Sequence, residues 1–420
     1  LIIKISSMKT LLKYLKIFAI LLIIFVGFGI FACLLPSDNI RYNIRKSVQR
    51  GDLAEEYPLA VIQKENCKLD NFTDALILNE AYCMDKSNLL QSIFLLRQSV
   101  YEQSQTNTLR LLVYNNNYNL DNGYTRYWHG NTFLARCFMT VASYSHWRIF
   151  MYVLSSLLLL FTCLKLYQAT STRVAILFAV AFLSCNVFIA QISLQFFPVL
   201  CLALIGSLSV IKYHHNYTKI YEMFFIFGCL TIYFDLLTTP ALTLGTMLAV
   251  WLALETTDNK VSFTKDLKKL FSFSAIWLIG SIVTWLSKWI LAFLTVEKDV
   301  FKQAFNQITE RSSSQFGDMD LTRFDAIKNN FQHVQWMVVL VVAIILVYFI
   351  VRHFNKYGIK AFGLFLLIAL LPYVWYIIVD NHSYVHYWFT FRLQIVAVMG
   401  LLFALNSMVK PPDNKQKINP

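Results

Sequence analysis

Nine consecutive residues, Asn122 to Gly130 (Asn-Gly-Tyr-Thr-Arg-Tyr-Trp-His-Gly), gather a guanidinium, an imidazole, an indole and two phenols between glycines that permit tight turns. Arg126 can hold an anion, Tyr127 and Trp128 can stack on a ligand, and His129 can move a proton. The structural alternative is an aromatic belt at a membrane surface, with Arg126 snorkelling. It accounts for the rings better than for His129 and the glycines. Asp70 and Asp74 stand four apart, so a helix would put both carboxylates on one face. They could divide the work of a base and a substrate or metal ligand, or one could hold the other partly protonated. The competing reading makes Asp70 or Asn71 a helix cap and Asp74 an acid favoured by the first-turn dipole.

Other groups could join them. Asp38 follows the first apolar segment closely. His382 and His386 have zinc-ligand spacing, but no Glu lies where a metalloprotease helix needs one. They read instead as hydrogen-bonding or phosphate-facing groups beside Arg392, with an interfacial aromatic belt as the alternative. Lys288 falls inside an apolar run, where an ammonium needs a partner or a polar cavity unless it snorkels. Asp235 is its candidate partner, and Arg311 is a further cation. Cations suit a phosphate leaving group, a carboxylate or imidazole suits a sugar hydroxyl, and aromatic faces suit sugar rings. No cofactor is required by this set, a divalent cation being the one candidate.

The elements that must position these groups are membrane helices. Of 420 residues, 57% are hydrophobic and 15% charged, which excludes an ordinary soluble domain of this length. Several apolar runs reach the roughly 20 residues needed to cross a bilayer. The net charge of +13 collects in alternate short turns, an orientation signal that argues against nucleic acid as a partner. No small-residue cleavage site follows the first apolar segment, so it reads as a retained span, and residues 1–7 may precede the true start at Met8. The eight cysteines lack metal spacing; Cys67 and Cys83 could form a disulfide in an oxidising compartment.

In chain order, residues 1–35 form a cytoplasmic N-terminus and first span, and 36–144 an external region with short helices. Residues 145–408 form a helical bundle with a second external loop, 297–333, and 409–420 a flexible cytoplasmic tail. Spans are expected near 17–35, 148–164, 174–190, 199–212, 221–234, 240–254, 271–296, 334–351, 361–379 and 393–408. The fold class is thus an all-α polytopic membrane protein with about ten spans and both termini inside. Leu89, Ile93, Leu96 and Val100 predict a helix over 88–102 that lies on the membrane, caps the bundle or forms the core of an external subdomain.

This layout resembles the GT-C superfamily of integral membrane glycosyltransferases. The shared features are a cytoplasmic N-terminus, a large external loop directly after the first span, acids in that loop and roughly ten further crossings. The Tyr-x-Arg-Tyr-Trp-His-Gly and Asn-His-Ser-x-x-His motifs also resemble those of bacterial envelope membrane proteins. The resemblance implies a polyprenyl-phosphate-sugar donor, an envelope glycan or lipid acceptor, and a catalytic acid early in the first loop. Asp38 fits that role by position, although Asn39 follows it where the family carries a second acid; Asp70 and Asp74 fit by context. On this reading Arg126, Lys288 and Arg392 would hold phosphate, and His129, His382 and His386 would orient donor or acceptor. The rival expectations are a flippase or transporter of lipid-linked sugars, and a polysaccharide polymerase or ligase.

Overall fold

A computed structural model describes residues 8–60, 65–100, 102–115, 120, 122–258, 260–316 and 319–410. Residues 1–7 and most of the basic tail lie outside them. The fold is all-α; strand pairing among the described residues is confined to two minimal ribbons. One joins β1 (Arg97–Ser99) to β2 (Asn122–Gly123), the other β3 (Gln315–Phe316) to β4 (Met319–Asp320).

The chain enters through α1 (Met8–Leu34), an uninterrupted apolar helix about 40 Å long at 1.5 Å per residue. Pro36 ends its run and opens α2 (Ser37–Gln49), which buries Ile40, Ile44 and Ser47 on one side. The chain continues with α3 (Asn71–Cys83), α4 (Leu89–Phe94), α5 (Gln105–Tyr114) and α6 (Gly130–Val141). The α2–α6 region contributes Ile40, Ile44, Ile77, Leu109 and Met139 to a second core cluster, which Met151 and Phe197 of later helices join.

The helix expected over 88–102 is shorter than its periodicity implied. It stops at Phe94; Leu96 takes a positive φ of 43°, and the chain leaves as β1. Ile93, Phe94 and Leu96 pack into the bundle core, so the segment caps the bundle. The expected Cys67–Cys83 bridge is not formed. Cys67 is instead buried against the Asn66 and Asn186 side chains.

The bundle follows as α7 (Tyr144–Ala169), α8 (Thr172–Leu183), α9 (Val187–Gln191), α10 (Phe196–Tyr213), α11 (Tyr217–Phe234), α12 (Ala241–Thr257) and α13 (Phe263–Thr295). A pair of shorter helices, α14 (Val300–Arg311) and α15 (Arg323–Phe331), precedes α16 (Trp336–Arg352), α17 (Ile359–Ala369) and α18 (Leu371–Ile378). Short helices α19 (Asp380–Val385) and α20 (Tyr387–Thr390) lead into α21 (Gln394–Ser407). Six helices among the described residues are long and apolar enough to cross a membrane, or seven if α15 and α16, bent by 78°, form one span. The chain is therefore compatible with a multi-pass membrane protein. Every segment expected to span is helical, but not every helix has spanning length. At 12 residues, α8 covers about 18 Å against a hydrocarbon layer of about 30 Å.

Where α11 meets α13 the two backbones nearly touch. A Cβ on Gly228 would sit 2.1 Å from the Trp277 carbonyl oxygen, and one on Gly280 would sit 2.4 Å from that of Phe225. Small residues allow this approach.

Candidate active site

A cavity of about 670 Å³ lies beside α2, just past the C-terminal end of α1. Its first wall is α2, where Asp38, Arg41, Tyr42 and Arg45 recur at helical spacing and so share one face. The C-terminal end of α3 supplies Glu80, Tyr82 and Cys83, and the following segment adds Asp85, Gln91 and Arg97. Three carboxylates and three guanidinium groups therefore line one space. Asp38, Tyr42, Arg45 and Arg97 are exposed around it, whereas Glu80 is buried. Two of the arginines are held in place. Arg41 Nε donates to the Tyr82 carbonyl at 3.3 Å, and Arg97 Nη1 to that of Leu120 at 2.9 Å. The Ser87 backbone N–H, 3.0 Å from Asp85 Oδ1, holds the Asp85 carboxyl below its usual range, so it stays ionised.

Behind this cavity stands the Asn122–Gly130 motif. His129 adopts a left-handed φ of 57° at the start of α6. Gly130 is required there, because a Cβ would lie 2.6 Å from the Tyr233 ring. His129 Nε2 lies 2.6 Å from the Tyr124 carbonyl oxygen and must donate to it, since a carbonyl only accepts. Its Nδ1 approaches Glu80 Oε2 to 3.0 Å without hydrogen-bond alignment, and that oxygen also accepts from the Thr132 hydroxyl. Glu80 thus links the cavity to a histidine deep in the protein.

Trp128 is fully buried and donates from Nε1 to the Thr284 carbonyl at 2.7 Å. Trp285 and Trp289 of α13 both donate to the Arg126 carbonyl, at 3.0 and 3.1 Å. The motif is the joint by which the α2–α6 region docks on the bundle. Lys288 completes it. Its ammonium is fully buried and donates to the Ile93 and Phe94 carbonyls at 3.2 and 2.9 Å, satisfying the end of α4. Asp235, its expected partner, accepts instead from the backbone N–H groups of Thr238 and Thr239, at 2.8 and 3.2 Å.

The other sequence candidates form two further groups. Asp70 caps α3, accepting from the Thr73 N–H at 3.1 Å and its hydroxyl at 2.7 Å. Asp74 accepts from Ser193 Oγ and Leu194 N, at 3.2 and 3.0 Å, and from the Tyr144 hydroxyl, with Arg148 3.9 Å away. These bonds fasten α3 to the bundle. Arg392 feels the Asp70 charge, donates to the Trp388 carbonyl at 3.0 Å and lies over the Phe196 ring. In the second group, Arg311 and Arg126 lie over the rings of Tyr127 and Tyr124, 5.8 and 5.0 Å from their centroids. Beside them burial, with the Arg311 charge, pushes His382 well below the usual imidazole range and His386 to about 4.

Of the acids expected to act, only Asp38 therefore lines the 670 Å³ cavity; Asp70, Asp74, Arg126, His129, Lys288, His382 and Arg392 do not. Sequence reasoning passed over Arg41 and Arg45, although their spacing from Asp38 was a readable cue. It also missed Glu80, whose signal was an acid in an apolar helical run. Arg97 carried no local signal.

Asp70 gives a pH prediction. Burial, opposed by the Thr73 hydrogen bonds and reinforced by the Asp74 charge, pushes its carboxyl up to about 7. Between the ordinary carboxyl range and pH 7 the folded chain then holds a proton that the unfolded chain releases, so this group's contribution to stability falls as pH rises. Asp70→Asn keeps a capping oxygen and removes that slope. The melting temperature of wild type relative to D70N is expected to drop between pH 5 and pH 8; a constant difference would refute the raised value.

No protein-family model, curated protein or solved structure matches this chain.

Proposed function

We propose that this chain is a membrane glycosyltransferase of GT-C type, moving a sugar from a polyprenyl-phosphate carrier to an envelope glycan or lipid on the outer face. The observation that carries this reading is the shared cavity, in which Asp38, four residues past the end of the first apolar helix, faces Arg41, Arg45 and Arg97. A carrier's hydrocarbon tail would lie in the lipid beside α1 while its head group enters the cavity. Asp38 takes the proton of the acceptor hydroxyl, whose oxygen bonds to the anomeric carbon. The carrier phosphate departs with the electron pair of the broken bond, and the arginines stabilise the charge that develops on it. Glu80, paired with His129, orients the sugar from the floor of the cavity.

The topology proposed with it has ten crossings and both termini cytoplasmic. It places the basic turns at Lys212 to Lys219 and Lys260 to Lys269 on one face and the cavity on the other. The short α8 would be continued to the outer face by residues 184–195, in which a turn, the short α9 and the chain after it are mostly buried within protein, where broken helical backbone is tolerated.

The test is glycan modification in cells expressing the full chain. Asp38→Asn is expected to lower it at least about a hundredfold, the usual worth of a general base, with expression and melting unchanged. Full modification by D38N would remove Asp38 as the base. Translocation of a labelled lipid-linked sugar by reconstituted protein, with no glycosylated product, would favour a flippase instead.

A further inference from the structure

A second polar site lies far from this cavity in sequence, where the α10–α11 turn meets the end of α12. His214 and His215 follow the last residue of α10, and Asp258 follows the last residue of α12. One ligand atom from each of the three lies within 4.8 Å of the others. His214 is buried, and its Nε2 stands 3.7 Å from Asp258 Oδ2 and 3.9 Å from Glu255 Oε1. These separations are too long for hydrogen bonds. They approach the roughly 3.4 Å between two ligand atoms bound tetrahedrally to one zinc ion at 2.0–2.2 Å. The other ring nitrogen, Nδ1, is buried and has no hydrogen-bond partner. The negative ends of two helix dipoles also converge here, which favours a cation.

We infer that His214, His215 and Asp258, with Glu255 as a fourth ligand within reach, bind a divalent transition metal of the zinc class. Two imidazoles with carboxylates select such an ion over magnesium, which prefers oxygen ligands alone. Two groups now neutralise the acids. Lys260 Nζ lies 3.0 Å from Asp258 Oδ2, and the Tyr217 hydroxyl donates to Glu255 at 2.8 Å. Lys260 is exposed and gives way as the metal takes Asp258. The bound ion clips the α10–α11 turn to the end of α12. This site is independent of the proposed transferase chemistry.

The experiment is zinc titration of the full chain, purified in detergent without a histidine tag and stripped with chelator. One zinc per chain is expected, with no competition from millimolar magnesium, and cobalt in its place should show the visible absorption of a tetrahedral site. His215→Gln changes an exposed ring and leaves the core untouched; it should weaken zinc binding at least tenfold, and H214Q/H215Q should abolish it. H382Q/H386Q, at the other histidine pair, should bind zinc as wild type does. Absence of a one-to-one zinc complex at micromolar concentrations overturns the site, as does undiminished binding by H215Q.

Discussion

Arg136→Leu is expected to yield no folded protein. The Arg136 side chain is fully buried in α6 and binds elements far apart in the chain. Nε donates to the Ala32 carbonyl at 2.7 Å, Nη1 to those of Ala81 and Met84, and Nη2 to Ser37 Oγ at 3.1 Å. These acceptors are the end of α1, the start of α2 and the end of α3, so one guanidinium joins α1 to the α2–α6 region. Burial lowers its pKa to about 10, which leaves it charged at pH 7. Hydrogen bonds to a charged group contribute about 1.5–3 kcal/mol each, and leucine would leave several carbonyls buried without a donor. The combined loss is on the order of the 5–15 kcal/mol that holds an ordinary domain folded. Arg136→Lys keeps the charge but loses the planar fork, and is expected to fold with a lower melting temperature. Because Ser37 precedes Asp38, R136K should, on the proposed function, also lower glycan modification beyond its loss of stability. The check is the yield of monodisperse protein in detergent together with its thermal melt. An R136L protein that melts within a few degrees of wild type would remove this arginine from its structural role.

Gly228→Val should be nearly as damaging, for a steric reason. The space its side chain needs is already filled by the backbone of α13 at Trp277, which cannot rotate away as a side chain would. The two helices are further stitched at this point. Ser281 Oγ donates to the Gly228 carbonyl at 3.2 Å, and Cys229 Sγ to that of Gly280 at 3.4 Å. Valine would force the axes apart, breaking these bonds and opening voids along the whole contact. Overpacking of this kind costs about 1–3 kcal/mol even where neighbours can yield, and here they cannot. The same displacement would withdraw Lys288 and Trp289 of α13 from the α2–α6 region that they anchor. A steep loss of thermal stability in detergent is expected, and Gly228→Ala should show a smaller loss of the same kind. A valine variant that melts like wild type would mean that the helices are not in backbone contact.

The cavity at the end of α1 was partly legible in advance. The position of Asp38 just past the first apolar segment, and its helical register with Arg41 and Arg45, are local properties of the chain. The all-α class with several apolar helices of spanning length was legible for the same reason, since long apolar runs need no knowledge of partners. The capping role of Asp70 was likewise readable within four residues. Span length was less so: hydropathy marks where a helix begins and ends in composition, but α8 ends early because neighbouring helices bury the irregular chain that follows.

What local pattern could not supply was which polar groups meet. Lys288 looked like a phosphate ligand because an ammonium in an apolar run needs a partner; the carbonyls of Ile93 and Phe94, nearly 200 positions earlier, are that partner. His129, Trp128 and Arg126 carried the chemistry expected of a binding site, yet Trp128 and the Arg126 carbonyl bond to α13, while His129 turns to Tyr124 and Glu80. Composition and periodicity therefore specified the helices, their apolar length and the acid at the cavity's edge. The pairing of Glu80 with His129 and the grip of Arg136 on three elements arose on folding, because a charged group far from water takes whichever partner the packed backbone brings within reach.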